Sequence, residues 1–439
     1  MRLKYQVDEK PRHWETAVYG LQWTAMILSS NIFLLLLVAG NMGFPLDMAA
    51  RFVQRSLMFI GLSCLLQIYL GHRLTIFDVV ASFWLSTFIF VGQTQQSLGI
   101  SLNVALGKLQ FLQIVTGLFM ILLTASGLAG RLKRFFTPMV MGVTLILISI
   151  QMSAAMLPGM MSTPEQTADM RLVLFSTVLF LVTLTIGFRG GRFQPFVGLI
   201  GLGGGWLTYT LLRLPAAAPS AMPGFLIPEP FAFGPPVADW SLVPIALFIV
   251  MIYLSNEIAS VNAGGDVMKV TVTDQTIRRT SYVAGASHML AALFSSITLV
   301  PAAMGAGLVA TTGVGARRPM AVGATILIGL GLIGPVGSFF AAIPPAVSYS
   351  VSLSIVARIM YMGLKNCFVG GLDERTLSIA GVSILVGSGI MFLPTSFFAT
   401  YGYLSSILGN GLFIGVLMAL FLENVLFRSR FVLPEEPPQ

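Results

Sequence analysis

The stretch Thr298-Leu-Val-Pro-Ala-Ala-Met-Gly-Ala-Gly-Leu-Val-Ala-Thr-Thr-Gly-Val-Gly-Ala-Arg-Arg-Pro319 lies among apolar segments of membrane-spanning length, yet it cannot form one continuous helix. Pro301 lacks an amide hydrogen, and the four glycines between residues 305 and 315 are poor helix formers. Broken backbone at membrane depth is tolerated only where it is buried in protein or lines a wet cavity. The pattern predicts a short extended piece over residues 299–303 and a half-helix over residues 305–312, whose N-terminus faces a ligand.

The composition around this stretch is that of a polytopic membrane protein. Of the 439 residues, 56% are hydrophobic and only 10% are charged, whereas soluble domains carry about 25% charged residues. The net charge of +8 does not indicate nucleic-acid binding, because the basic residues cluster in every second loop. This alternation follows the positive-inside rule and predicts that both termini are cytoplasmic.

The number of apolar segments predicts an all-α polytopic fold. Segments of about twenty residues are long enough to span a bilayer. Such segments lie at about 17–38, 52–70, 107–129, 137–157, 172–188, 194–212, 241–261, 281–297, 320–341, 345–364, 377–393 and 407–427. Two shorter, broken segments at about 75–91 and 298–315 bring the predicted number to fourteen.

The two broken segments occupy equivalent positions, each being the third in a run of seven. This placement predicts two inverted repeats of seven segments that cross at a central site. The alternative is a chance match among fourteen apolar segments. In the first broken segment, Val79 to Ala81 favour a short strand, and Ser82 is a candidate cap for a half-helix that runs to Val91.

Two acidic residues lie in or beside these apolar segments. Glu257 is deep within one of them, and a charge at the bilayer centre costs at least about 2.5–3.5 kcal/mol, so it is a functional candidate by default. Because burial favours the protonated form of a carboxyl, it is also a candidate proton carrier. The alternative is a structural hydrogen bond to a neighbouring helix, from Ser255, Asn256 or Ser260. Asp78 fits a solvated cap and a cavity-facing role equally well.

Enzyme signals are absent from the sequence. It contains no nucleophile–base pair, no Walker loop and no cluster of metal ligands. We therefore predict neither an enzyme nor an ATP-driven pump, and no cofactor beyond a coupling ion.

Several short motifs, ordered along nearly the whole chain, resemble those of the nucleobase–ascorbate transporter family, the xanthine/uracil permeases. The family signature Gln/Glu/Pro-Asn-x-Gly-x-x-x-x-Thr-Arg/Lys/Gly aligns with Met304-Gly-Ala-Gly-Leu-Val-Ala-Thr-Thr-Gly313. The glycine, the threonine and the final position match, whereas the first two polar positions do not. Gly20-Leu-Gln-Trp23 is similar to the family's Gly/Ser-Leu-Gln-His. The segment from Gly409 to Leu417, with Glu423-Asn424, resembles most a divergent branch of bacterial proteins named as purine permeases.

The resemblance implies a division into two domains. A core domain, residues 14–133 and 241–342, comprises segments 1–4 and 8–11 and binds the substrate. A gate domain, residues 134–240 and 343–430, comprises segments 5–7 and 12–14 and supports it. The resemblance also implies a homodimer formed through the gate domain, embedded in the lipid bilayer of the bacterial cytoplasmic (inner) membrane.

The resemblance further implies a set of substrate contacts in three segments. They are Glu257 in the eighth segment, the backbone of Ala303, Met304 and Gly305 in the tenth, and Ala81, Ser82 and Phe83 in the third. In the family the eighth-segment glutamate hydrogen-bonds the base, and the tenth-segment Glu/Gln side chain is replaced here by Met304. The histidine that some proton-coupled members carry one turn beyond the glutamate is Val261.

We predict a secondary active importer of a nucleobase, either a purine such as xanthine, hypoxanthine or guanine, or uracil. Coupling to a proton is expected, with sodium as the alternative, and the core moves against the gate to alternate access. A second hypothesis keeps the fold but transports an anion such as sulfate, bicarbonate or a carboxylate, which two half-helix N-termini would suit but Glu257 would repel. A third hypothesis is a non-transporting sensor, supported by the missing signature residues.

Overall fold

The computed structural model describes residues 3–128, 135–161, 167–189, 191–215, 222–394, 397–398, 400–401 and 405–427. Within these residues nearly all regular structure is helical, as the sequence predicts. The elements of the first half are α1 (His13–Asn41), α2 (Leu46–Tyr69), β1 (Asp78–Val80), α3 (Ser82–Leu98), α4 (Leu102–Ala125), α5 (Pro138–Met161), α6 (Met170–Arg189) and α7 (Val197–Leu211).

The second half begins with α8 and contains the second strand. Its elements are α8 (Val243–Met268), α9 (Asp274–Leu293), β2 (Leu299–Pro301), α10 (Met304–Thr312), α11 (Arg317–Leu332), α12 (Gly334–Ala341), α13 (Pro345–Cys367), α14 (Glu374–Met391), α15 (Ser405–Leu408) and α16 (Gly411–Phe421). Single 3₁₀ turns precede α7 and α8, and a π turn at Leu422–Leu426 follows α16.

Seven of the described helices are long and apolar enough to cross a membrane, or eight if the bent pair α11 and α12 counts as one span. The seven are α1, α2, α4, α5, α6, α8 with its preceding turn, and α13. The remaining helices are shorter or less apolar. The protein is therefore a multi-pass helical membrane protein, and the number of fourteen segments stays a prediction.

The strands β1 and β2 pair antiparallel, with Asp78 opposite Pro301 and Val80 opposite Leu299. The pairing continues beyond the strands, since the Ala302 amide donates to the Phe77 carbonyl at 2.9 Å. Each strand leads directly into a helix, α3 after β1 and α10 after β2. The two strands thus satisfy each other's backbone in a buried setting, where unpaired groups would be costly.

Side chains satisfy both outer edges of this two-stranded sheet. On the β1 edge, Asn31 of α1 accepts from the Val80 amide at 2.8 Å and donates to the Asp78 carbonyl at 3.3 Å. On the β2 edge, the Tyr253 hydroxyl of α8 donates to the Leu299 carbonyl at 3.0 Å. These contacts fix the strand pair between α1 and α8.

Several predicted boundaries were wrong. The helix after β1 does not stop at Val91 but continues to Leu98, because the first backbone break is Gly99, which has a φ of +65°. The single segment predicted at 320–341 is two helices bent by 87°. The bend lies at Ile333, which is extended, and the next helix places Pro335 in its first turn, where a missing amide does no harm. At the chain's end, α16 begins only at Gly411, after the cap Asn410.

The N-terminal segment packs against the loop that follows α10. Gly313 ends that helix with a φ of +72°, and its carbonyl accepts from the Lys4 amide at 2.7 Å. Tyr5 forms a parallel bridge with Val314, and Asp8 pairs with Arg317 at the start of α11. The chain before α1 therefore covers the end of the second broken segment.

Candidate functional site

Glu257 lies in α8 and is completely buried. Its Oε1 accepts a hydrogen bond of 2.5 Å from the Ser281 hydroxyl of α9, whereas Oε2 has no partner among the described residues. The three nearby candidates for a structural hydrogen bond do not supply it: Ser260 donates to Asn256 at 3.3 Å, and the Ser255 hydroxyl has no partner in the part of the chain that the structure describes. Glu257 therefore keeps one buried acceptor available for a ligand.

Asp78 is a second buried carboxyl, so the solvated cap considered for it was wrong. Only 1% of the residue is exposed. Its Oδ2 accepts from the Ser63 hydroxyl of α2 at 2.6 Å, and its Oδ1 has no partner among the described residues. Asp78 and Glu257 are close enough to interact electrostatically.

Helix α9 carries the polar side chains that support both acids. Ser281 donates to Glu257, and Ser287 lies 3.5 Å from the Ser63 hydroxyl that holds Asp78. His288 follows directly and is completely buried. Its two hydrogen bonds, from Trp84 Nε1 to Nε2 at 3.1 Å and from Nδ1 to the Ala284 carbonyl at 2.8 Å, assign the neutral ring with the proton on Nδ1.

An aromatic cluster connects α3 to the helix of Glu257. Phe83 makes an edge-to-face contact with Tyr253, with ring centroids 5.9 Å apart. Tyr253 lies one helical turn before Glu257 and also contacts His288 at 4.8 Å between centroids. The predicted contacts Phe83 and Glu257 therefore belong to one region, with Tyr253 between them.

The other predicted contacts lie at the ends of the two strands. Ala81 is buried and its amide donates to the Thr298 carbonyl at 3.1 Å, while Ser82 is half-buried at the start of α3. Ala303 and Met304 are exposed at the start of α10. The Gly305 amide already donates to the Ala302 carbonyl at 3.1 Å, so of the three tenth-segment positions it has the least freedom to bind a ligand.

Sequence reasoning did not find Tyr253, Trp84, His288 or the serines that hold the acids. One signal was present: α9 is much less apolar than its neighbours, and Ser281 and His288 are seven residues apart, which places them on one helical face. A polar face on a buried helix indicates that it meets polar groups of other helices.

A multi-span helical fold with a half-satisfied carboxyl buried near a pair of short strands is the arrangement expected of a membrane transporter. The family profile described as "Permease family" (Xan_ur_permease) matches residues 14–396. The chain therefore belongs to the xanthine/uracil permease family, as the sequence motifs predict. It is a permease, and not an enzyme.

Curated relatives match over almost their full length. A protein of Bacillus subtilis (strain 168) called "Putative purine permease YwdJ" is 27% identical over 424 residues, covering 94% of this chain and 96% of the relative. The "Uric acid permease PucK" of the same organism is 22% identical, covering 95% and 96%. Its "Xanthine permease" is 23% identical, covering 94% and 93%.

Solved structures share the fold at low sequence identity. The transmembrane domain of a cyanobacterium bicarbonate transporter, BicA, is 16% identical with a TM-score of 0.61, covering 95% of this chain and all of that chain. The murine Slc26a9 anion transporter in its inward-facing state is 15% identical with a TM-score of 0.68, covering 97% of this chain and 70% of that chain. At these identities the similarity concerns architecture and not the transported solute.

Proposed function

We propose that this permease imports a nucleobase across the bacterial cytoplasmic membrane by proton symport. The observation that carries the proposal is the buried Glu257, whose Oε2 has no partner among the described residues and so can accept from a ring N–H. The names of the relatives, which are purine, uric acid and xanthine permeases, support a nucleobase as the solute.

In this proposal the base binds between the two broken segments. Glu257 holds the N–H edge of the ring, Phe83 covers one face, and Ala81 and Ser82 line the third-segment side. The backbone amides of the exposed residues Ala303 and Met304 bind a ring carbonyl from the other side. A neutral heterocycle suits this site better than an anion, because Glu257 in its charged form would repel an anion.

The wider proposal is a chain of fourteen segments arranged as two inverted repeats. Core residues 14–133 and 241–342 move against gate residues 134–240 and 343–430, both termini face the cytoplasm, and two copies meet through the gate. One contact between the proposed domains is a pair of hydrogen bonds between Ser86 of α3 and Gln151 of α5, the Gln151 amide donating to the Ser86 carbonyl at 3.2 Å. Alternating access requires such contacts to break and reform.

Uptake by purified protein in liposomes tests the solute class. Radiolabelled xanthine, hypoxanthine, guanine, adenine, uracil and sulfate are offered with an inward proton gradient. We expect saturable uptake of at least one base and none of sulfate. Sulfate uptake without base uptake would contradict the proposal and favour an anion transporter.

The variant Glu257→Gln tests the carboxyl itself. Because a hydrogen bond to a charged group contributes about 1.5–3 kcal/mol, we expect the initial uptake rate at low base concentration to fall roughly tenfold or more. Asp266→Asn, an exposed acid at the end of the same helix, is the matched control and should transport normally. Equal transport by Glu257→Gln and the wild type, with the same pH dependence, would remove Glu257 from the site.

A further inference from the structure

Asp78 is a buried acid that the proposed contacts with the base do not use. Its carboxyl points to α2, where Ser63 donates to Oδ2 at 2.6 Å and Cys64 Sγ accepts from the Asp78 amide at 3.4 Å. Ser287 of α9 lies next to that serine. The carboxyl is thus held on the side of β1 that faces α2 and α9.

The surroundings of Asp78 contain no cation in the described part of the chain. No lysine or arginine pairs with it there, since the ion pairs of the described residues involve Asp8, Glu15, Asp239 and Glu423. The titratable groups that are close enough to feel the charge of Asp78 are Glu257 and Tyr253 of α8 and Cys64 of α2, and none of these carries a positive charge. The other titratable neighbour, His288 of α9, holds the hydrogen bonds of a neutral ring.

Two interacting carboxyls in a low-dielectric interior do not both ionise without a bound cation. One hydroxyl donor at Asp78 and one at Glu257 are too few to stabilise two charges, since a stably ionised buried carboxylate usually accepts two or three hydrogen bonds. At least one of the two acids must therefore hold a proton when the site is closed to water.

We propose that Asp78 is the residue that carries the coupling proton, separately from Glu257, which binds the base. The proton enters from the outside, adds to the Asp78 carboxylate to give the neutral acid, and leaves to the cytoplasm when the site opens inward, so that one proton crosses with each base. β1 connects the two roles, because Asp78 is its first residue and Phe83 is the third residue after its end. This inference rests on the proposed function for the identity of the solute, and not for the titration of Asp78.

The first experiment measures the proton without any solute. Infrared spectra of purified protein are recorded between about pH 5 and about pH 9, where a perturbed buried acid titrates. The wild type should show a protonated-carboxyl band that disappears as the pH rises, and Asp78→Asn should lack that band while Asp266→Asn retains it. A full band in Asp78→Asn would overturn the inference, whatever the protein transports.

The second experiment separates coupling from transport in liposomes. We expect Asp78→Asn to exchange internal for external base at a rate within about twofold of the wild type, but to lose the proton-driven accumulation that reaches up to about tenfold per pH unit of gradient. Glu257→Gln should slow both exchange and accumulation roughly tenfold or more at low base concentration. Proton-driven accumulation by Asp78→Asn would overturn the inference, as would accumulation by the wild type that follows a sodium gradient instead.

A wild type that neither exchanges nor accumulates any base contradicts the proposed function, and the infrared result still decides the inference.

If Asp78→Asn does not fold, Ser63→Ala keeps the acid and removes its hydroxyl donor. Loss of one hydrogen bond to a charged group should move the midpoint of the infrared titration by roughly one pH unit. An unmoved midpoint would contradict the assignment to Asp78.

Discussion

At the scale of single residues, Ser281 is the group that fixes the position of Glu257. Its hydroxyl donates to Oε1 at 2.5 Å from the neighbouring helix, which leaves Oε2 for a ligand. If Ser281 only filled space, its replacement by alanine would have little effect on binding. If it orients the carboxyl, the replacement would weaken binding, because the carboxyl without its hydrogen bond would adopt another orientation.

We therefore expect Ser281→Ala to raise the KM for the base roughly tenfold, the equivalent of one hydrogen bond to a charged group. Ser281→Thr keeps the hydroxyl and should restore most of the affinity. Ser255→Ala, in the helix of Glu257 but without a hydrogen bond among the described residues, is the matched control. Concentration-dependent uptake in liposomes measures all three. If Ser281→Ala keeps the wild-type KM, Ser281 has no positioning role.

At the residue level, the sequence indicates which acid is buried more readily than which group contacts it, for a physical reason. Glu257 is recognisable in the sequence because a carboxyl in an apolar run is energetically costly wherever the helix lies. Its partner is not recognisable, because the sequence shows the neighbours along one helix, such as Asn256 and Ser260, and not the helix packed against it. Asp78 fits two environments in the sequence for the same reason, since nothing local reveals whether a residue at the start of a strand faces water or α2.

At the scale of elements, glycines set how closely the helices pack. At the crossing of α1 and α11, a Cβ added to Gly323 would lie 2.8 Å from both the Gly20 carbonyl oxygen and Trp23 Cβ. Neither backbone nor a buried tryptophan stem can move away easily. On the same helix, a Cβ added to Gly329 would meet nothing within 4 Å.

These two glycines form a matched pair for a stability test. Gly323→Leu should destabilise the protein by about 1–3 kcal/mol through overpacking, and its melting temperature in detergent should fall by several degrees. Gly329→Leu changes the same residue type on the same helix and should leave the melting temperature nearly unchanged. Equal melting temperatures for the two variants would show that the α1–α11 contact tolerates a larger separation.

Elements were easier to predict where their signals were local. The strand–helix pairs β1–α3 and β2–α10 are indicated by the β-prone residues near Val79 and by Pro301 with its neighbouring glycines. The 87° bend between α11 and α12 was missed, although Gly334-Pro335 marks it, because the apolar run continues through the break. A hydropathy profile shows how long an apolar stretch is, but not whether the helix axis bends within it.

At the scale of the whole molecule, the distribution of basic residues predicts the orientation in the membrane. The loop that joins α8 to α9 is one of the loops rich in basic residues, which predicts that it lies in the cytoplasm. The long connection between α7 and α8 is one of the alternate loops that carry few basic residues, which predicts that it lies outside. Both connections contain exposed positions, Thr271 in the first and Phe225 in the second. The two native cysteines, Cys64 and Cys367, are buried and give little background in a labelling experiment.

Single cysteines at these two positions test the orientation directly. A membrane-impermeant maleimide added to intact cells should label Phe225→Cys and spare Thr271→Cys, because only the α7–α8 connection faces outside. Inside-out vesicles should give the reverse pattern, and the parent chain should remain unlabelled in both. If intact cells label Thr271→Cys instead, the chain is inverted. The proton carried by Asp78 would then reach the site through the face here assigned to the cytoplasm, while base uptake would still follow the inward proton gradient.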